Sequence, residues 1–269
     1  YFPGNSIAHK LDPRTKILLV TLYIIALFSA KGWMGYAVMA VTLAACVKVS
    51  HVGLRALVRG LKPLVFIIAF TGILNMFFTP DTHYLWEWGI LRVSVKGIEN
   101  ALFMVIRIML LVMGTFLMTY TTSPIRLTDG LESLLNPLKK IHVPVHELAM
   151  MMAIALRFIP TLIEETDKIM SAQKARGADF DSGNIFQKAK ALVPILVPLF
   201  ISAFRRADEL ATAMECRCYH GGEGRTKLHV LKYQRRDYVA LAGGAVILAL
   251  VVVLRRLGRK TGFRSCLLR

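Results

Sequence analysis

Acid is scarce in this chain, and so is cysteine. Its 269 residues carry 17 Asp+Glu against 34 Lys+Arg, a formal net charge of +17. The four Cys, at 46, 216, 218 and 266, are too few and too scattered for a disulfide framework. No phosphate loop of the G-x-x-x-x-G-K-S/T type occurs. Gly258-Arg259-Lys260-Thr261 lacks the leading glycine, and its lysine does not follow a glycine. The seven His are scattered, with no H-E-x-x-H pair and no Cys/His set at zinc spacing. No G-x-S-x-G nucleophile elbow appears. These absences exclude an evident catalytic centre, and neither a cofactor nor a metal is expected. Apolar residues, by contrast, make up 55% of the chain, and the mean hydropathy is +0.52. That excludes a disordered chain and disfavours an ordinary soluble enzyme. A nucleic-acid binder could match the charge but not the long apolar runs. A greasy and basic chain belongs in a membrane, with its charges at the cytoplasmic face.

A span needs about 20 mostly apolar residues, because backbone groups in lipid must be satisfied within the helix. Four such stretches fill the first 120 residues: Ile17–Ala30, Trp33–Val49, Pro63–Phe78 and Ala101–Tyr120. A fifth, Tyr238–Leu254, follows near the end. Tyr1–Lys16 is polar and runs into the first span with no small-residue cleavage site, so no cleavable signal peptide is expected. Lys10, Arg14 and Lys16 before the first span, and Arg55, Arg59 and Lys62 after the second, mark cytoplasmic segments. Asp81, Glu87 and the ring pair Trp86/Trp88 fit an outer loop. The tail breaks the pattern: a fifth span carries Arg255, Arg256, Arg259, Lys260, Arg264 and Arg269 to the outside. Arg107 is the one clear intramembrane charge. It reads either as a functional group or as a side chain that snorkels or meets a polar partner on a neighbouring helix.

Residues 121–237 differ. They hold 17 Lys+Arg and 13 Asp+Glu, most of the chain's acid in under half its length. This block therefore faces water at least in part. Ser123-Pro124 starts a short helix that Asn136-Pro137 stops near Leu135. Pro144 opens a second helix to about Arg176, ended by Gly177, with Pro160 expected to kink it. Asn184 caps a third, to about Glu215 or Arg217, closed by Gly221-Gly222 and bent by Pro194 and Pro198. Each long helix has an apolar half (Leu148–Ile159; Ala191–Phe204) and a charged half (Glu164–Arg176; Arg205–Arg217). The apolar halves suit the membrane spans or the inner leaflet. The expected fold is an all-α membrane protein of about five spans with one short and two long crossing cytoplasmic helices. Its divisions are 1–120, 121–237 and 238–269.

Several runs resemble one family. Ala175-Arg176-Gly177, within Ser171–Phe180, is similar to the first Ala-Arg-Gly motif of the transmembrane T component of energy-coupling factor transporters. The run Arg205–Tyr219 is similar to the second, with Cys216-Arg217-Cys218 where the family usually has Ala-Arg-Gly. Leu11-Asp-Pro-Arg-Thr-Lys16, Thr121-Thr-Ser-Pro124, Leu156-Arg-Phe-Ile-Pro160 and Gly221-Gly-Glu-Gly-Arg-Thr226 also resemble it. The likeness spans nearly the whole chain. It implies a multi-pass subunit of the bacterial cell membrane within a vitamin or metal importer. Its partners would be two cytoplasmic ATPase subunits and a small substrate-capturing S component, with lipid around it and no nucleic acid. It further implies that Arg176 and Arg217, with their flanks Ala175, Gly177, Cys216 and Cys218, each meet one ATPase. Met151, Met152, Leu156, Leu196, Leu199 and Phe200 would face the S component or the membrane.

Two alternatives remain. A self-contained permease needs polar or acidic residues within its spans, and beyond Arg107 these have almost none. A membrane-embedded enzyme needs clustered His, Asp or Glu. The only acid pairs, Glu164-Glu165 and Asp208-Glu209, sit among basic residues as helix surface. Cys216 and Cys218 form a lone C-x-C, read as small helix-end residues or as a metal or redox pair. The purified chain, free of partners, is expected to show no ATP binding and no ATP hydrolysis. Turnover that survives removal of contaminating ATPases would refute this.

Overall fold

Asp12 and Pro13 start the first long helix, the aspartate by capping and the proline by its preset φ. The computed structural model describes residues 4, 6–78, 84–88, 91–178, 180, 184–221 and 231–266. Within them the chain forms α1 (Ile7–Lys10), α2 (Pro13–Ser29), α3 (Gly32–Ser50), α4 (Leu54–Leu61), α5 (Val65–Phe78) and α6 (Val95–Thr121). There follow α7 (Pro124–Leu135), α8 (Val145–Ala175), α9 (Ile185–Glu215) and α10 (Arg235–Cys266). A short antiparallel hairpin, Tyr84–Trp88 against Leu91–Ser94, sits between α5 and α6, where the sequence places an outer loop. Asp81 of that loop and the run 222–226 lie outside the described residues.

Among the described residues, six helices are long and apolar enough to cross a membrane, by length and composition. Four correspond to expected spans: Gly32–Ser50, Leu54–Phe77, Val95–Thr121 and Arg235–Leu257. The remaining expected span forms α2, which at 17 residues and about 26 Å falls just short of that length. The other two are α8 and α9, whose apolar halves supply the hydropathy. The chain is thus an all-α, multi-pass membrane protein apart from the hairpin.

The chain divides into two units, residues 1–131 with 231–269, and residues 132–230. In the first, α2 packs on α10, α5 and α3 pack on α6, and a core forms from Ala26, Leu27, Met39, Leu43, Val47, Leu57, Leu110 and Val251. Between helices in lipid, close packing and hydrogen bonds do the holding. Tyr23 of α2 donates its hydroxyl to the Leu110 carbonyl of α6 at 3.0 Å. Gly114 makes room for it, since a Cβ there would lie 2.5 Å from the Tyr23 ring. Arg107 meets a polar partner as the sequence allowed. Its Nε and Nη2 donate to the Tyr36 hydroxyl of α3 at 2.9 and 2.6 Å, and its guanidinium lies over the Phe28 ring at 5.7 Å.

One end of this unit is tied by buried charge. Asp237, 2% exposed, takes the Asp12 amide N–H at 2.9 Å on one carboxylate oxygen and the Gln234 N–H at 2.8 Å on the other. It thereby caps the first turn of α10 and holds the start of α2 beside it. Asp12 in turn accepts the Arg14 N–H at 3.0 Å. Lys16, also buried, donates to the Thr121 carbonyl at 2.9 Å and to the Thr122 hydroxyl at 3.1 Å. That places an ammonium on the negative end of the α6 dipole. The starts of α2 and α10 and the end of α6 therefore meet at one level. The basic residues Arg255, Arg256, Arg259, Lys260 and Arg264 belong to α10 itself, toward its other end.

The second unit contains α8 and α9. Glu165 of α8 accepts hydrogen bonds from the Ser202 hydroxyl and, at 2.9 Å, from Arg206 Nη2 of α9. Gln173 Nε2 of α8 donates to the Pro194 carbonyl of α9 at 3.5 Å. That carbonyl is free because Pro198, four residues on, has no N–H. Both helices run through their prolines unbroken.

Asp237→Ala leaves the buried Asp12 N–H and the partly exposed Gln234 N–H without their acceptor, a cost of about 1–3 kcal/mol. Thermal unfolding of the detergent-solubilised protein should show a clearly lower Tm for this variant. An unchanged Tm would remove the tie from its structural role.

Candidate functional site: two arginine caps on an antiparallel helix pair

The two arginine motifs sit at the ends of α8 and α9, and backbone geometry makes them equivalent. At the end of α8, Gly177 is left-handed, with φ 87°. Its N–H bonds the Lys174 carbonyl at 3.0 Å, and the Ala178 N–H bonds the Gln173 carbonyl at 3.0 Å. At the end of α9, Cys218 is left-handed, with φ 56°. Its N–H bonds the Glu215 carbonyl at 2.9 Å, and the Tyr219 N–H bonds the Met214 carbonyl at 3.1 Å. Each end thus carries the same double hydrogen-bonded reversal around one left-handed residue. Arg176 and Arg217 each occupy the position just before it.

The cap explains the flanks. Glycine takes the left-handed region without steric cost, which fits Gly177. Cys218 adopts it with a Cβ, at a cost of about 1–2 kcal/mol. Ala175 is the last residue of α8, and Cys216 follows α9 with its backbone still right-handed; at both a small residue leaves the guanidinium clear. All six motif residues are exposed. Each guanidinium also stands at the negative end of its helix dipole, an arrangement favourable by about 0.3–1 kcal/mol.

The interhelix bonds fix how the two arginines lie within this unit. Glu165 pairs with residues 202 and 206, while Gln173, farther along α8, pairs with residue 194, earlier in α9. The helices are therefore antiparallel where they meet. From the Glu165–Ser202 level, Arg176 is about 17 Å along α8 and Arg217 about 22 Å along α9, in opposite senses, at 1.5 Å per residue. The structure does not bring the two arginines together.

The residues expected to face the S component lie on the apolar halves. Met151 (55% exposed), Leu196 and Phe200 (61%) are exposed, Met152 is barely so, and Leu156 and Leu199 are half-buried. Phe204, 68% exposed, and Ile163, 56% exposed, extend the same apolar surface beyond the sequence selection. Sequence reasoning missed the Glu165–Arg206 clamp. Glu165 looked like helix surface because its partner is 41 residues away. Among the described residues, no group of three His, Cys, Asp or Glu is gathered to hold a metal ion.

Cys218→Gly relieves the left-handed Cβ and should stabilise the α9 cap by about 1 kcal/mol, whereas Gly177→Ala should destabilise the α8 cap by a similar amount. Hydrogen exchange at the last turns of both helices reads these changes separately. Slower exchange in Gly177→Ala would contradict the cap assignment.

Comparison with known proteins agrees with the resemblance. A family profile described as "Cobalt transport protein", CbiQ, matches residues 4–228. The energy-coupling factor transporter transmembrane protein EcfT of Ruminiclostridium cellulolyticum is 53% identical over 254 residues, covering 94% of both chains. The protein of the same name from Thermosediminibacter oceani is 55% identical over 240 residues, covering 89% of this chain and 90% of its own. That from Bacillus subtilis is 47% identical over 255 residues, covering 95% and 96%. Its apolar helices, its two arginine-bearing caps and its near full-length similarity to these proteins together make this chain a member of the CbiQ/EcfT family, the transmembrane proteins of energy-coupling factor transporters.

Proposed function

We propose that this chain is a non-catalytic scaffold of an importer, coupling ATP hydrolysis by two cytoplasmic ATPase subunits to movement of a substrate-binding S component. The observation that carries the reading is the pair of equivalent arginine caps at opposite ends of an antiparallel helix pair. Two identical displays roughly 40 Å apart along the helices suit two copies of one kind of partner, one arginine to each ATPase. Guanidinium fits that role. It stays charged when desolvated and offers a rigid fork of donors for a carboxylate. The caps leave the side chain at a chain reversal, free to enter a groove.

The charged halves, Glu164–Arg176 and Arg205–Arg217, lie in the cytoplasm of the bacterial cell in this reading. The apolar halves take the S component and the inner membrane surface. Exposed Met151, Leu196, Phe200 and Phe204 support that assignment, because contiguous apolar patches mark interaction surfaces. The Glu165–Ser202–Arg206 clamp joins the halves, so displacement at an arginine tip reaches the apolar surface through one rigid pair.

Arg176→Ala or Arg217→Ala leaves a partner carboxylate unpaired, which at a buried contact costs about 2–5 kcal/mol. Each change should weaken co-purification with the ATPases or uncouple hydrolysis from uptake, and the double change should do both more severely. Arg→Lys should rescue only in part, and Cys216→Ala should be mild. Normal assembly and transport by both alanine variants would overturn the coupling role.

A further inference from the structure

The first unit holds a cavity of about 670 Å³ that the proposed coupling role does not use. It is an open groove bounded by α1, α2, α3, α6 and α10. Its walls are almost entirely apolar and include Leu19, Tyr23, Leu43, Cys46, Leu117 and Ile247. One end is different. Lys16, Arg235 and Arg236 line it where α2 and α10 begin, and both arginines are exposed. The nearby Asp237 carboxylate is occupied by the Asp12 and Gln234 N–H groups. The rim is therefore cationic and the body apolar.

A glycine pair in α10 sharpens the question. Gly244 is explained within the chain, since a Cβ there would lie 2.6 Å from Leu19 Cδ2. Gly243 is not: a Cβ there would meet nothing within 4 Å. Glycine inside a helix costs about 1 kcal/mol relative to alanine, and no packing in this unit requires it. Gly243 lines the groove, so its missing side chain keeps the groove wide.

The cationic end calls for an anionic occupant, and the volume suits a small one. The observed volume falls in the range of about 300–1,000 Å³ typical of small-ligand sites. We propose that the groove holds an acyl chain of an anionic glycerophospholipid, with the lipid phosphate at Arg235 and Arg236. The apolar body takes the tail past Gly243, and the cationic rim selects a net negative headgroup. Basic residues at the mouth of a cleft between membrane helices have this selectivity for electrostatic reasons.

The test uses the full chain purified in detergent and stripped of lipid. Phosphatidylglycerol, phosphatidylcholine of the same acyl chains, and glycerol 3-phosphate are titrated separately. Native mass spectrometry reads bound lipid, and the shift in Tm reads affinity. Phosphatidylglycerol should bind at least tenfold more tightly than phosphatidylcholine, and glycerol 3-phosphate should give no shift. The exposed pair Arg235→Gln/Arg236→Gln should bring phosphatidylglycerol down to the phosphatidylcholine level. Gly243→Phe should abolish retention of both lipids. Should that variant fail to fold, Gly243→Ala, which has space for its methyl group, should fold and lower retention of both. Equal affinity for the two lipids overturns the proposal. So does a shift with glycerol 3-phosphate alone, which would make the rim a free-phosphate site. No lipid in the mass spectrum likewise overturns it and leaves the groove to a protein segment.

Discussion

Asp237 is the fixed point of the membrane unit. A carboxylate that is 2% exposed survives only with its oxygens occupied, and it occupies them with backbone N–H groups from two separated parts of the chain. This choice sets the level at which α2 and α10 begin. Lys16, one turn into α2, then reaches the last carbonyl of α6. Three helix ends are thus aligned by two buried charges of opposite sign. Above that level lie the seating of Tyr23 against Gly114, the contact of Gly244 with Leu19, and the groove beside Gly243.

The helix pair of the second unit rests on a different device. Much of its apolar surface is left exposed, and polar contacts at defined points fix how α8 and α9 meet. Glu165 binds two groups of α9. Gln173 fills the carbonyl that Pro198 leaves open. The prolines, which would weaken an isolated helix, here supply a site for a neighbouring side chain.

Much of this was legible in the sequence wherever the signal is local. Ser123-Pro124 and Asn136-Pro137 bracket α7, and Pro144, Gly177 and Asn184 bracket the long helices within a residue or two, because caps and prolines act on adjacent backbone. The arginine motifs were legible by resemblance, and their central residues do occupy matching caps. What the sequence hid is long-range or conformational. The Asp12–Asp237 bond joins residues 225 apart. No periodicity announces that Glu165 will clamp Arg206. Cys218 looked like a departure from a glycine, and only its φ of 56° shows that it still performs the glycine's turn.

The antiparallel meeting of α8 and α9 has a mechanical consequence. The helices are held at two levels, by Glu165 and by Gln173, so they turn together as one lever with Glu165 as the rivet. The two arms are unequal, about 17 Å to Arg176 and about 22 Å to Arg217. Equal pushes applied at the two tips therefore exert unequal turning moments about the rivet, the larger through α9. Equal loads at the two tips would therefore rotate the pair instead of leaving it balanced.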